Sequence, residues 1–275
     1  MSLPRLALVV SLSMLAPAYG GDIDPFSPST FELGAKAATL HAQGRAAEAE
    51  ALCRRAAQTA TNPTEGAHAL VLLAGFLVDR GAVAEAEPLA RRALKLAEKG
   101  AGGTDDAAVA RALNVLADIK GAAGDAEGAE RLLRRAQRAA EGPRGALAAQ
   151  AAVVGRRGLV RLAQGRYPDA EAMLERSLDL AEEALGPDHP GLITVLQALG
   201  DCYRLRNRLD DAREVYERSL TLGERTLGTS HRDLLSSLVG LALVAERQDD
   251  PARARELYAR AESIDGSVRT RVAKR

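Results

Sequence analysis

The sequence predicts an all-α fold, a solenoid of about six stacked helical hairpins. One observation is an alanine that returns six times, as Ala49, Ala86, Ala129, Ala170, Ala212 and Ala254, at spacings of 37, 43, 41, 42 and 42 residues. A second is that each follows a helix-breaking position by five residues: Gly44, Gly81, Gly124, Gly165, Asn207 and Asp249. A period of this size marks units that cannot bury an apolar face alone and complete their core by stacking. The third is composition. Of the 275 residues 47% are apolar but only 3% aromatic, and the strong helix formers Ala, Leu, Arg and Glu dominate with no run of β-branched strand segments.

Residues 1–20 read as a secretory signal peptide. Arg5 supplies a positive start, Leu6 to Leu15 a short apolar run, and Ala16-Pro17-Ala18-Tyr19-Gly20 a small-residue region for cleavage after Ala18 or Gly20. The apolar run is too short to span a bilayer, and no integral membrane span is expected. Residues 21–29, with Pro25 and Pro28, form an extended leader. Thr30 is placed as the N-cap of the first helix. Hairpins then occupy about 30–63, 64–104, 105–145, 146–189, 190–231 and 232–265. Residues 266–275 hold Arg269, Arg271, Lys274 and Arg275 without a repeat pattern and read as a basic disordered tail.

Counting each break residue as position 15, position 8 is small in every unit: Ala37, Ala74, Ala117, Gly158, Gly200 and Ala242. The recurring alanine is position 20. Small residues at facing sites let paired helices approach closely, and position 24 fills the space beyond with Cys53, Leu133, Leu174, Tyr216 or Tyr258, Ala90 being the exception.

These positions carry a family resemblance. The fifth unit has Leu199, Gly200, Tyr203, Ala212 and Tyr216, and the fourth has Gly158, Gly165, Tyr167 and Ala170. The chain resembles a tetratricopeptide-repeat (TPR) protein over about residues 30–265. The period near 42 and the connector Leu185-Gly186-Pro187-Asp188-His189-Pro190, echoed at Leu227 to Arg232, are similar to the kinesin-light-chain-like branch. The first unit departs from the pattern, with Lys36 where Leu is usual. The resemblance implies a right-handed superhelix whose first helices line a concave groove that binds peptides or proteins. Carried over by position, the groove residues are Arg111, Asn114 and Asp118 in unit three and Thr194, Gln197, Asp201 and Arg204 in unit five. Asn114 and Gln197, both at position 5, are expected to bond a ligand backbone through their amides. Unit four is expected to be smooth there, with Ala152, Gly155, Leu159 and Leu162. The family's clamp for C-terminal carboxylates lacks its position-5 Lys here, which disfavours chaperone-tail binding.

Charge and chemistry narrow the function classes. With 37 basic and 37 acidic residues the formal net charge is zero, giving no electrostatic case for nucleic acid. No nucleophile elbow, zinc-protease motif, Cys-x-x-Cys or phosphate-binding loop occurs, so no catalytic residue, cofactor or metal is expected. Gly100-Ala101-Gly102-Gly103 is a connector. His189 and His231 fall at equivalent connectors, one repeat apart, and read as structural caps, while His41 and His68 have no partner suggested by spacing. Cys53 and Cys202 lie four hairpins apart and are expected to be buried and free of a disulfide. The sequence therefore describes an exported, periplasmic or secreted scaffold of a bacterial envelope that binds other proteins without catalysis. The alternative is a cytoplasmic adaptor with an uncleaved apolar N-terminus. An enzymatic groove would need clustered titratable groups, and only Asp118, Asp201 and Arg204 approach that.

Overall fold

The computed structural model describes residues 30–100, 106–142 and 146–265. The expected signal peptide, leader and basic tail, and residues 101–103 of the glycine-rich connector, lie outside them. The described residues form twelve α-helices: α1 (Thr30–Ala42), α2 (Ala46–Thr59), α3 (Pro63–Asp79), α4 (Val83–Glu98), α5 (Asp106–Ala122), α6 (Ala126–Ala140), α7 (Leu147–Ala163), α8 (Tyr167–Leu185), α9 (Ile193–Leu205), α10 (Leu209–Leu227), α11 (Leu235–Arg247) and α12 (Pro251–Ile264). Short 3-10 turns, Pro190–Leu192 and Arg232–Leu234, precede α9 and α11. The chain makes two compact units, residues 1–156 and 157–275, the division falling inside α7.

The hairpin turns follow from single residues. All six break residues have positive φ, between 58° and 82°, a conformation that glycine adopts freely and Asn and Asp tolerate best among the rest. In each turn the next residue donates its N–H to the carbonyl five residues back, from Arg45 to Leu40 through to Asp250 to Ala245, at 2.7–2.9 Å. This is the Schellman closure, which satisfies a carbonyl the helix end leaves open.

The small positions allow the helices to meet. The six recurring alanines are no more than 3% exposed. A Cβ on Gly158 would lie 2.9 Å from Cγ of Leu174, and one on Gly200 would lie 2.5 Å from Cε1 of Tyr216. The Tyr216 ring is also covered by Gly240 of the next first helix, whose Cβ would stand 2.4 Å from Cζ. Tyr258, at the same position in the last hairpin, is only half-buried, and Leu257 beside it takes the core place.

Within unit 1, α1 packs on α3 and α3 on α5, and within unit 2, α9 packs on α11. Consecutive second helices approach less closely, so each unit curves with its first helices inside. Long side chains bridge the wider gap between second helices. A glutamate at position 32 pairs with an arginine at position 26 of the following unit in Glu98–Arg135, Glu182–Arg218 and Glu224–Arg260. Lys36 is exposed on α1 with Glu32 and Thr39, at helical spacing along one polar side of that helix.

One local expectation needs correction. Thr30 opens α1 rather than capping it, and its hydroxyl donates to Oε2 of Glu65 at 3.1 Å. The carboxylate of Glu65 gathers further donors from Thr61 and Asn62, while Asn62 Oδ1 caps α3 by accepting from the Glu65 N–H at 3.0 Å. Gly186 ends α8 at φ 87° and ψ 157°, an extended mirror conformation rather than a left-handed helical one. His189 caps the next turn as expected, its Nδ1 accepting from the Gly191 N–H at 3.0 Å, and His231 repeats this with Asp233 at 3.2 Å.

Candidate binding face

The first helices α5 and α9 carry all seven predicted groove residues, and the structure sorts them by what already occupies them. In unit 1, Arg111, Asn114 and Asp118 recur at three- and four-residue steps along one side of α5. Asn114 is 3% exposed, and its Oδ1 is buried with no hydrogen-bond donor in reach. Arg111 is half-buried one turn away. Asp118 is not free: both of its carboxylate oxygens accept from Nε of Arg156 on α7, at 3.1 and 3.0 Å.

Arg156 extends a polar file across the inner layer of unit 1 that repeat spacing did not reveal. Asp79, at the end of α3, stands 3.2 Å from Nε2 of His41 on α1. The His41 ring stacks on Phe76 with centroids 4.2 Å apart. Burial pushes the Asp118 carboxyl up; Arg156 opposes that rise and the neighbouring Asp79 adds to it. His68 is buried on α3 against Gly34, and desolvation, helped by the Arg111 charge, lowers its pKa to about 4. His41 and His68 thus have defined surroundings where spacing gave none. The available signal was the presence of Asp79 and Arg156 on otherwise apolar inner helices.

In unit 2 the expectation for Gln197 is overturned. Its amide N–H₂ donates to the Asp233 carbonyl at 2.7 Å and to Oγ of Ser237 at 3.1 Å, tying α9 to the next hairpin instead of pointing to a ligand. Thr194 is half-buried. Asp201 accepts at one oxygen from the Tyr216 hydroxyl and from Arg204, both at 2.8 Å, while 41% of its side chain stays exposed. Burial, then the Asp201 charge, raises the Tyr216 pKa well above its ordinary value. On α7, Ala152 is buried and Gly155, Leu159 and Leu162 are half-buried.

Cys53 and Cys202 are free and buried, with burial pushing their thiols up to about 12 and about 11, so neither is a thiolate near neutral pH. No group of three or more His, Cys, Asp or Glu that could hold a metal is present among the described residues. No described helix is long and apolar enough to cross a membrane.

Alternating hairpins, left-handed break residues and small facing positions define a helical-repeat protein of the α-solenoid class. Tetratricopeptide-repeat models match residues 65–142, 147–224 and 208–266, and a further one matches 33–55. The chain belongs to the tetratricopeptide-repeat family. No curated protein matches it. Among solved structures it is similar to BtubC (BKLC) from P. vanneervenii, with a TM-score of 0.60 and 18% identity over 83% of this chain and 91% of that one. It is also similar to a kinesin-light-chain-like protein of Podosopora anserina with nearly identical TPR-like repeats, at a TM-score of 0.53 and 20% identity over 76% and 97%. Pseudomonas aeruginosa pilF matches at a TM-score of 0.53 and 19% identity over 74% and 78%. At these identities the likeness is one of fold. Tetratricopeptide repeats are in general non-catalytic scaffolds for other proteins or peptides, and the fold supports protein–protein interaction here.

Proposed function

We propose that this chain is an exported scaffold that holds a partner peptide on the inner, first-helix face of unit 1, without catalysis. The observation that carries the reading is the Asn114 carbonyl oxygen, buried without a donor. An unmet acceptor of this kind costs about 1–3 kcal/mol, and a side-chain rotation that exposes it when a peptide binds would let a peptide N–H satisfy it. Arg111 beside it supplies a charged donor for a ligand carbonyl or carboxylate. Export is supported by the signal-like pattern of residues 1–20.

The test begins with peptides selected against the full chain from a displayed library. Asn114→Ala is expected to weaken the selected peptides by roughly tenfold, the equivalent of one buried hydrogen bond. Selected peptides whose affinity ignores Asn114→Ala and Arg111→Ala would remove the inner face of unit 1 as the site. N-terminal sequencing of protein from native cells should begin at Tyr19 or Gly21. A chain that retains residues 1–20 would instead be the cytoplasmic adaptor.

A further inference from the structure

The outer, second-helix face reverses its charge from one unit to the other. In unit 1, α2, α4 and α6 carry nine basic residues and seven acidic ones. In unit 2, α8, α10 and α12 carry seven basic and thirteen acidic. The reversal falls on equivalent sites. Position 25 is Arg54, Arg91 and Arg134 in unit 1 but Glu175 and Glu217 in unit 2, and position 29 is Lys95 and Arg138 against Asp179. The helix dipole favours bases late in a helix, but that preference is the same in both units and cannot produce the change of sign.

Much of this charge is unspent. Arg55, Arg92, Lys95, Arg134 and Arg138 are exposed and have no carboxylate partner among the described residues. The reason is visible in the position-32 to position-26 rungs: opposite Arg92 the rung carries Thr61, and Arg55 stands on the first described hairpin. In unit 2 two of the three corresponding arginines, Arg218 and Arg260, are paired, while Arg176 is exposed without a carboxylate partner among the described residues. There Asp179, Glu183, Glu214 and Glu217 are exposed without a cation partner among the described residues.

We propose that the outer face of unit 1 in one copy docks on the outer face of unit 2 in a second copy. The chain holds both halves of the complement, a net charge of +2 on the second helices of unit 1 against −6 on those of unit 2. Four of the five free cations are arginines, whose planar fork meets carboxylates two bonds at a time. Among the described residues the exposed large apolar side chains, Leu147 and Leu205, lie on first helices and not on this face. Attraction of this type gives orientation and fast encounter, and weakens with salt.

Sedimentation velocity of the full chain tests this. Association is expected at about 50 mM salt, with the dissociation constant rising at least about tenfold by about 500 mM. The triple variant Arg92→Glu, Arg134→Glu, Arg138→Glu should sediment as a monomer, and so should Asp179→Lys, Glu214→Lys, Glu217→Lys. Circular dichroism confirms that both variants keep their helices. An equimolar mixture of the two variants should restore a complex, because like-charged faces now meet opposite ones. The proposal is overturned by a native chain that stays monomeric at about 100 μM in low salt, by association that survives either triple variant, or by a mixture that fails to associate. A native monomer whose basic face captures a poly-glutamate peptide would equally overturn it, and would assign that face to a foreign acidic partner.

Discussion

Replacing Gly200 by alanine tests whether close approach at the facing small positions organises these hairpins. The added methyl would stand 2.5 Å from Cε1 of Tyr216 and 2.7 Å from both Cδ1 and Cζ, against about 3.5–4.0 Å for a relaxed carbon contact. The ring would have to retreat by roughly 1 Å. It has no room to do so, because Gly240 closes the other side and the hydroxyl is held by Asp201 at 2.8 Å. Overpacking in such a site costs about 1–3 kcal/mol, and here the upper end applies. Alanine is better than glycine in a helix by about 1 kcal/mol, so the net loss is about 2 kcal/mol. In a Tyr216→Ala background, which reproduces the pairing of Ala74 with Ala90 in the second hairpin, the collision disappears and only the helix preference remains, so the same substitution should stabilise by about 1 kcal/mol. The two values give a coupling of about 3 kcal/mol between residues in contact. Urea denaturation followed by far-UV circular dichroism reads both, using the midpoint together with the slope because repeat arrays need not unfold in one step. If Gly200→Ala is neutral in the native background, or has the same sign in both, close approach does not govern the hairpin.

Other perturbations extend the same physics. Ala170 is fully buried, so Ala170→Leu should lower stability by about 1–3 kcal/mol in thermal melts, and an unchanged transition would contradict the packing assigned to position 20. Arg156→Met should cost about 1.5–3 kcal/mol by leaving the half-buried Asp118 carboxylate without its charged donor, whereas the joint change of Asp118→Leu with Arg156→Met should recover most of it, a double-mutant cycle in urea being the measure. His68 has a folded pKa near 4, below its unfolded value of about 6.5, so the unfolded chain takes up the proton first as pH falls. The stability associated with neutral His68 is therefore present above about pH 6.5, is lost progressively towards pH 4, and amounts at most to about 3 kcal/mol. His68→Leu should flatten that interval of the stability profile, and an unaltered slope would mean that the imidazole is not held neutral.

Much of the fold was legible because it depends on neighbours in sequence. Gly44 to Asp249 mark the turns, since few residues tolerate positive φ, and the recurring alanines mark the packed side of each second helix. The binding face was read less completely. Asn114 and Gln197 share a repeat position, yet the Asn114 oxygen is buried without a partner while Gln197 is bonded to Asp233 and Ser237. The difference comes from what the next hairpin presents, which a period cannot register.

The chain order alone thus decides where helices start and turn and which positions must be small, because those are local steric demands repeated in every hairpin. Stacking decides the rest. Asp118 meets Arg156 across 38 residues, Asp79 meets His41 across the same separation, and Tyr216 is enclosed by glycines from two different helices. Those contacts depend on the register between hairpins, which is set when side chains interlock, and that register determines which polar groups are spent inside the fold and which remain for a partner.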